Sequence, residues 1–231
     1  MEEARRRTLH GRRRGKKLRV GQQSLLDTLL PRLALALPAE PHKIDLAQVF
    51  GGRLPRDGVW LEIGFGAGEH LVWQAEQHPD VGLIGCEPYL NGVAKCLAHI
   101  ERTGAGNIRL FTDDARLVMA ALPARSLGRV FVLFPDPWPK TRHHKRRFVQ
   151  RETLDRLAEL MVPGAELRLA TDDPSYLPWM VEHACTHPAF EWLAEGPADW
   201  RGRPADWPAT RYEKKQLAGT PTFLRLRRRP A

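Results

Sequence analysis

A short apolar run that ends in three closely spaced prolines constrains this chain most strongly. Residues 130–134 read Val-Phe-Val-Leu-Phe, a continuous β-branched and aromatic run typical of a strand buried in a parallel sheet. Pro135, Pro137 and Pro139 follow, and each proline pushes its predecessor into an extended conformation. The pattern predicts a stiff loop outside the carboxyl end of a strand, where open α/β sheets bind their ligands.

The same loop combines an acid, an indole and a run of cations. Asp136 and Trp138 alternate with the prolines, and six Lys or Arg side chains follow within residues 140–151. A carboxylate, a stacking surface and a group of cations side by side are typical of a nucleic-acid site. We expect Lys140 and the cluster Arg142, Lys145, Arg146 and Arg147 to bind backbone phosphates. For the cations alone, a solvated helix end is an equally good interpretation.

The positive charge of the chain is concentrated at its start. The 231 residues have a formal net charge of +9, and residues 1–20 contain seven Arg and two Lys against two Glu, which leaves +2 for the remainder. Residues 1–20 carry almost nothing apolar to bury, so we predict a basic disordered arm there and one domain over residues 21–231. The arm is either an electrostatic contact for a polyanion or a solubilising tail.

Cysteine usage and hydropathy argue against disulfide-rich, metal-binding, secreted and membrane-spanning proteins. Cys86, Cys96 and Cys185 are odd in number and form no C-x-x-C pair, so we expect neither a disulfide framework nor a metal site. No apolar run has the length of a membrane span, and the Arg-rich start lacks the apolar core of a signal peptide. We therefore expect a cytoplasmic protein with no membrane partner, either a monomer or a homodimer.

A strand, a glycine-rich turn and a helix follow one another near residue 60. Residues 59–63 are the first clear strand, and Gly64, Gly66 and Gly68 follow at alternate positions, which lets the backbone pass beneath a ligand. The spacing differs from the dinucleotide fingerprint, whose third glycine lies one residue later. Glu62 is costly to bury inside the strand without a partner, and the ammonium group of a ligand would be such a partner.

Acids recur at the ends of later strands. Glu87 ends the second strand, where it is placed to accept hydrogen bonds from both hydroxyls of a ribose. Asp113 and Asp114 follow the third strand, and we expect one to cap a helix and the other to accept from an adenine amino group. Asp172 and Asp173 follow another strand, where a helix cap is an equally strong interpretation.

The alternation of strands and helices predicts an α/β fold with a doubly wound sheet. The strands are expected at residues 59–63, 81–86, 107–111, 130–134, 166–170 and 222–227. The main helices are expected at residues 69–77, 89–100, 148–161 and 176–185, with an N-terminal helix that begins at Ser24 and is broken or restarted at Pro31.

Three motifs together resemble a known family, the tRNA (guanine-N7)-methyltransferases within the class I S-adenosylmethionine-dependent methyltransferases. They are LEIGFGAG at residues 61–68, FPDPWPK at residues 134–140 with its basic tail, and TRYEK at residues 210–214. The first motif alone indicates only a methyltransferase, whereas the second is specific to this family. The resemblance runs from about residue 22 to the C-terminus, so it assigns no role to the basic arm.

The resemblance implies a class I methyltransferase fold, a Rossmann-like doubly wound sheet of seven strands with the last strand antiparallel. It implies S-adenosyl-L-methionine as cofactor and methyl transfer to N7 of a guanine in tRNA, at position 46 of the variable loop. Family roles carried over by motif assign the cofactor to Glu62, Gly64, Gly66, Gly68, Glu87, Asp114 and Asp136. They assign the tRNA to Lys140, Asp172, Thr210, Arg211, Tyr212 and Glu213. Asp136 is also the implied catalytic residue, and Tyr212 stands where the family often has Phe.

Two other functions are compatible with parts of the sequence. A dinucleotide-dependent oxidoreductase also needs a strand, a glycine turn and an acid, but the glycine spacing and the lack of an evident hydride-transfer site count against it. A non-catalytic RNA-binding protein on a Rossmann-like scaffold would use the basic arm, yet it would have no need of Glu62, Glu87 and Asp136.

Overall fold

The fold is built on a seven-stranded sheet, seen in a computed structural model that describes residues 11–52, 54–56, 58–210, 213 and 219–230. The strands are β1 Val59–Ile63, β2 Gly82–Cys86, β3 Ile108–Phe111, β4 Leu127–Leu133, β5 Met161–Thr171, β6 Phe190–Trp192 and β7 Thr222–Arg228. Their order is β3-β2-β1-β4-β5-β7-β6, and β7 runs antiparallel to both β5 and β6. The predicted doubly wound sheet of seven strands with an antiparallel last strand is confirmed.

Helices connect the strands and cover both faces of the sheet. Within the described ranges the α-helices are α1 Val20–Thr28, α2 Leu30–Leu33, α3 Leu46–Val49, α4 Glu69–Gln77, α5 Leu90–Thr103, α6 Ala115–Ala121, α7 Arg151–Leu160, α8 Tyr176–Met180 and α9 Ala198–Arg201. A 3₁₀ helix covers Thr141–Arg146, and a π-helical turn covers Val181–Cys185. The N-terminal helix begins at Val20 rather than at Ser24, and Pro31 lies in the first turn of α2, where its missing N–H is not needed.

The central strands lie between two apolar layers. Every residue of β1 and of β2 is buried, and neighbouring strand residues point to opposite faces. Leu61 belongs to the layer that includes residues of α6 and α7, whereas Trp60 and Phe131 belong to the layer that includes residues of α4 and α5. The strand order reverses between β1 and β4, which creates a crevice at the carboxyl ends of these strands. No helix of the described residues is long and apolar enough to cross a bilayer.

Three strands differ from the prediction, and one of them is β4, which begins at Leu127 rather than at Val130 and ends at Leu133. The sequence pattern does not predict β6, because its three residues are too short to show a periodic signal. β5 begins at Met161, directly after α7, rather than at Glu166. Its register with β4 shifts along this early part, so Pro163 and Gly164 lie in an irregular section that no strand pattern indicates.

Candidate active site

A cavity of about 700 Å³ opens at the carboxyl ends of β1, β2 and β4. Six acids line it, and they are Glu62, Glu69, Glu87, Asp113, Asp114 and Asp136. Of the predicted substrate residues with a described position, Thr210 lines the cavity, whereas Lys140, Asp172 and Glu213 lie outside its lining. Arg211 and Tyr212 belong to the part of the chain that the structure does not describe. The cavity therefore brings together the predicted cofactor acids and one substrate residue.

The glycine-rich turn between β1 and α4 forms one wall of this cavity. Gly64, Gly66 and Gly68 have φ angles of 76°, 56° and 77°, a region that L side chains rarely adopt. A Cβ on Gly68 would lie 2.3 Å from Cys96 Sγ, whereas a Cβ on Gly64 or Gly66 would meet nothing within 4 Å. Gly68 thus allows close packing on α5, and Gly64 and Gly66 leave open space beside the cavity for a ligand to approach the backbone.

Glu62 has a partner within the chain. Its side chain is 3% exposed, and Oε2 lies 2.7 Å from Nδ1 of the buried His70. Gln74 Nε2 lies 3.1 Å from His70 Nε2 and donates to the carbonyl of Asp206. This chain of contacts satisfies the need for a partner that the sequence assigns to a ligand, and sequence reasoning misses His70. His70 lies in the first turn of α4, two residues after Gly68, but this position alone does not show whether its ring meets a carboxylate or another core residue.

Glu87 is held by two backbone donors. Gly66 N donates to Oε2 and Tyr89 N donates to Oε1, both at 2.8 Å. Burial raises the pKa of Glu87, the two backbone hydrogen bonds act in the opposite direction, and the nearby carboxylates of Asp136 and Glu62 raise it further. Each carboxylate oxygen keeps a second lone pair, so Glu87 can accept two more hydrogen bonds from a ligand without moving.

The paired aspartates after β3 have different contacts. Asp114 is the N-cap of α6, since it accepts from Arg116 N at 3.0 Å, and it also pairs with the Arg116 guanidinium. Asp113 accepts from Asp114 N and forms an ion pair with Arg13 at 3.1 Å. Both acids line the cavity. The assignment of the adenine to Asp114 stays a prediction, because either carboxylate reaches the cavity.

The proline loop after β4 carries backbone strain. Phe134 and Trp138 have φ angles of 50° and 45°, and such values in residues with side chains persist only where the surroundings hold them. Asp136 lies between them, lines the cavity and is exposed at its mouth, and partial desolvation by the surrounding residues raises the pKa of its carboxyl. The Arg146 guanidinium lies 5.0 Å from the centre of the Trp138 ring. The loop thus brings a carboxylate and a cation-supported indole to the mouth of the cavity.

The contacts of the two acids after β5, Asp172 and Asp173, show which of them is the helix cap. Asp173 Oδ1 accepts from Ser175 N, Ser175 Oγ and Tyr176 N, so Asp173 caps the turn that leads into α8. Asp172 is 6% exposed at the end of β5. The helix-cap interpretation therefore applies to Asp173, and the predicted substrate role remains with Asp172.

The motif at residues 210–214 is described in part. Glu213 N donates to Thr210 Oγ1 at 3.2 Å, and the Glu213 carboxylate pairs with Arg203 at 2.9 Å. The Thr210 hydroxyl thus lies beside the cavity, and Arg203 holds the Glu213 carboxylate outside the cavity lining. Arg211, Tyr212 and Lys214 lie outside the residues that the structure describes.

The N-terminal segment reaches the rim of the cavity. Leu90 N donates to Arg13 O at 3.0 Å, Gly15 N donates to Asn91 Oδ1, and Asn91 Nδ2 donates to Lys16 O. A Cβ on Gly11 would lie 3.7 Å from Asp136 Oδ2. Residues 11–19 thus follow a defined path without helix or strand. The disordered arm predicted over residues 1–20 stays a prediction, and residues 1–10 lie outside the described ranges.

One cation of the basic run differs from the others. Arg142 and Lys145 are exposed, but Arg147 is only 1% exposed, among the most buried large side chains of the protein. The expectation that Arg147 binds phosphate together with Arg142, Lys145 and Arg146 is therefore wrong. A run of like charges carries no signal for which member turns inward.

The sheet order, the glycine turn after β1 and the acid at the end of β2 define a Rossmann-like fold of the class I methyltransferases. Residues 56–224 match the model of a family described as "Putative methyltransferase". A rRNA methylase from Streptococcus thermophilus has the same fold, with a TM-score of 0.53 at 12% identity over 77% of this chain and 90% of that one.

Two sequence relatives narrow the class to a particular family. The chain is 54% identical over 225 residues to a tRNA (guanine-N(7)-)-methyltransferase of Rhodospirillum rubrum, which covers 96% of this chain and 88% of that protein. It is 52% identical over 221 residues to a protein of the same name from Paramagnetospirillum magneticum, with coverage of 95% and 92%. The chain belongs to the tRNA (guanine-N7)-methyltransferase family.

Proposed function

We propose that this protein transfers a methyl group from S-adenosyl-L-methionine to N7 of a guanine in tRNA, at position 46 of the variable loop. The observation that carries the proposal is that Asp136 of the proline loop and Gly66 of the glycine turn line the same cavity. A methyl donor on the glycine turn and a base at the proline loop would then be neighbours. The names of the two relatives support guanine N7 as acceptor and tRNA as substrate.

The residues of the cavity fit this cofactor. The space beside Gly64 and Gly66, which a Cβ would fill, suits a ligand that lies against the backbone. Glu87 has acceptor capacity left for the hydroxyls of a ribose, and Asp114 would lie near the adenine. Glu62, held by His70, would face the ammonium group of the methionine part. When bound, the cofactor supplies an electrophilic methyl group on a sulfonium.

The acceptor atom explains why the site needs no general base. N7 of guanine has an in-plane lone pair and carries no proton, so attack requires no prior deprotonation. Catalysis then consists of aligning N7 with the methyl group and of offsetting the positive charge that develops on the purine. Asp136 meets both needs if it accepts from guanine N1–H and the exocyclic amino group. Asp172 would share this role from the neighbouring strand end.

Binding of the tRNA backbone falls to the exposed cations after the proline loop. Lys140, Arg142 and Lys145 are exposed, and Arg146 is half-buried over Trp138. Contacts of this kind are electrostatic and do not depend on the base sequence, so they position the tRNA. Thr210 and Glu213, with the adjoining Arg211 and Tyr212, would complete the guanine site.

Methyl transfer to an unmodified tRNA transcript tests the proposal. The protein is incubated with methyl-labelled S-adenosylmethionine and the transcript, and the digested RNA is analysed for labelled 7-methylguanosine. We expect transfer of up to one methyl group per transcript. A matched transcript with adenine at position 46 should accept none.

Each other outcome contradicts a defined part of the proposal. Equal transfer to both transcripts would place the target guanine at another position. RNA binding without any transfer would contradict the activity itself and favour a non-catalytic RNA-binding protein.

A further inference from the structure

Arg147 is a buried cation that the reaction described above does not use. It follows the 3₁₀ helix Thr141–Arg146 directly, and its side chain is 1% exposed. A guanidinium in the interior of a protein costs free energy unless hydrogen bonds and charges around it compensate. The contacts that Arg147 makes therefore indicate what it does.

Two hydrogen bonds connect Arg147 to different loops. Nε donates to the carbonyl of Pro137 at 2.8 Å, and Nη2 donates to Ser175 Oγ at 3.3 Å. The faces of the guanidinium contact aromatic rings, with Cζ 4.9 Å from the centre of Tyr176 and 5.0 Å from that of Trp179. The planar fork of arginine suits this combination of two directed donors and stacking, and an ammonium group does not.

These two loops carry the acids assigned to guanine. Pro137 is the neighbour of Asp136 in the proline loop, and the carbonyl that Arg147 holds lies between the strained residues Phe134 and Trp138. Ser175 belongs to the turn after Asp172, where it is bonded to Asp173 Oδ1 through both N and Oγ. Arg147 thus joins the loop after β4 to the turn after β5.

We propose that Arg147 is a positioning residue that holds the Asp136 loop at a fixed distance from the Asp172 turn, and that it does not bind phosphate. The proposal rests on the proposed function, because alignment of the guanine requires both loops. Its physical basis is that a misplacement of about 1 Å at a reacting centre can cost about 100-fold in rate. The guanidinium keeps the strained proline loop in the one conformation that faces the cavity.

Two substitutions distinguish positioning from phosphate binding. For Arg147→Gln and Arg147→Lys, we expect the single-turnover rate of methyl transfer at saturating tRNA and cofactor to fall about 10- to 100-fold. In Arg147→Gln, the slope of log K for tRNA binding against log[salt] should equal that of the unsubstituted protein. A phosphate ligand would behave in the opposite way, with a slope reduced by about 0.9 in Arg147→Gln and activity rescued in Arg147→Lys.

Arg156 offers a matched control. Its guanidinium also bridges two elements, because Nε and Nη2 both donate to Met119 O, but it lies between α6 and α7. Arg156→Lys should lower thermal stability and leave the saturated rate of the folded protein native. If Arg147→Lys also loses only stability, the positioning role is overturned.

A second variant keeps the test decisive if the Arg147 variants do not fold. Ser175→Ala retains the guanidinium and removes one of its two links, and we expect a several-fold lower saturated rate with a native tRNA salt slope. A native rate in Ser175→Ala would overturn the proposal in that case. Methyl transfer by the unsubstituted protein is measured alongside. Its absence would contradict the proposed function, and the salt slope of tRNA binding in Arg147→Gln would still decide whether Arg147 binds phosphate.

Discussion

The two walls of the cavity are built in different ways. On the wall formed by the glycine turn, hydrogen bonds hold the carboxylates themselves, from His70 to Glu62 and from the backbone of Gly66 and Tyr89 to Glu87. On the wall formed by the proline loop, the hydrogen bond from Arg147 holds the backbone of the loop, at the Pro137 carbonyl. Arg147 connects that loop to Ser175, 28 residues further on.

This difference indicates separate tasks for the two walls. Carboxylates that already accept backbone hydrogen bonds form a preorganised site, which suits the binding of a cofactor. A strained loop held by one buried guanidinium depends on its supports, which suits the alignment of a base whose position decides the rate. We therefore expect substitutions on the glycine wall to change cofactor affinity and those on the proline wall to change the rate at saturation.

The largest effect is expected from Asp136→Ala. The single-turnover rate of methyl transfer should fall by about 100-fold or more, the scale for losing one well-placed electrostatic group. Cofactor affinity, measured by calorimetry, should change much less. A folded variant with near-native turnover would show that Asp136 is only a loop residue.

The pH dependence of the native enzyme should reflect the environment of Asp136. Partial desolvation raises the pKa of this exposed carboxyl, so it gains its proton at a higher pH than an ordinary aspartate, whose pKa is about 3.9. Because the proposed role requires the ionised form, the rate at saturating cofactor should fall as the pH drops through this raised pKa. If the rate falls only at or below the pKa of an ordinary aspartate, the proposed role of Asp136 is contradicted.

A smaller effect is expected from Glu87→Gln. The amide replaces one acceptor oxygen by a donor, which faces a backbone N–H or a ribose hydroxyl, and a lost charge-assisted hydrogen bond costs about 1.5–3 kcal/mol. The Kd for S-adenosylmethionine should rise about 10- to 100-fold, and tRNA affinity without cofactor should hold. Glu101→Gln, an exposed acid of α5, is the matched control. Loss of tRNA binding in Glu87→Gln would show that Glu87 belongs to the tRNA site and not to the cofactor site.

The smallest effect is expected at the N-terminal segment. Replacing the exposed Arg12, Arg14 and Lys17 by Gln removes charge and keeps the contacts of Arg13, Gly15 and Lys16 at the rim. If these cations contact phosphates, tRNA affinity should fall severalfold and the salt slope should decrease by up to about 0.9 per contact. An unchanged slope would favour the solubilising tail.

Much of the fold and of the glycine wall follows from local patterns. Apolar runs predict the buried strands, and the glycines with Glu62 and Glu87 predict the wall because these residues lie within one strand–turn–helix unit and its neighbour. His70 escapes the prediction, since a histidine on an amphipathic helix looks the same whether it meets a carboxylate or another core residue. β6 escapes it because three residues show no period.

The proline wall is less predictable because its contacts join distant segments. The basic run appears uniform in the sequence, yet the fold turns Arg147 inward and leaves Arg142 exposed.

The path of residues 11–16 depends on hydrogen bonds to Asn91, more than 70 residues away, which no composition rule indicates. Local chemistry predicts which residue types form a site, and tertiary packing decides which of them reach it.

If the glycine wall holds the methyl donor and the proline wall aligns the acceptor, saturation with ligands should separate substitutions on the two walls. The single-turnover rate of methyl transfer at saturating cofactor and tRNA is measured for Glu87→Gln and for Asp136→Asn. We expect Glu87→Gln to reach within about threefold of the native rate, because only binding is weakened, and Asp136→Asn to stay about 100-fold slower. A near-native saturated rate in Asp136→Asn, or a persistently low saturated rate in Glu87→Gln, would show that the two walls do not divide these tasks.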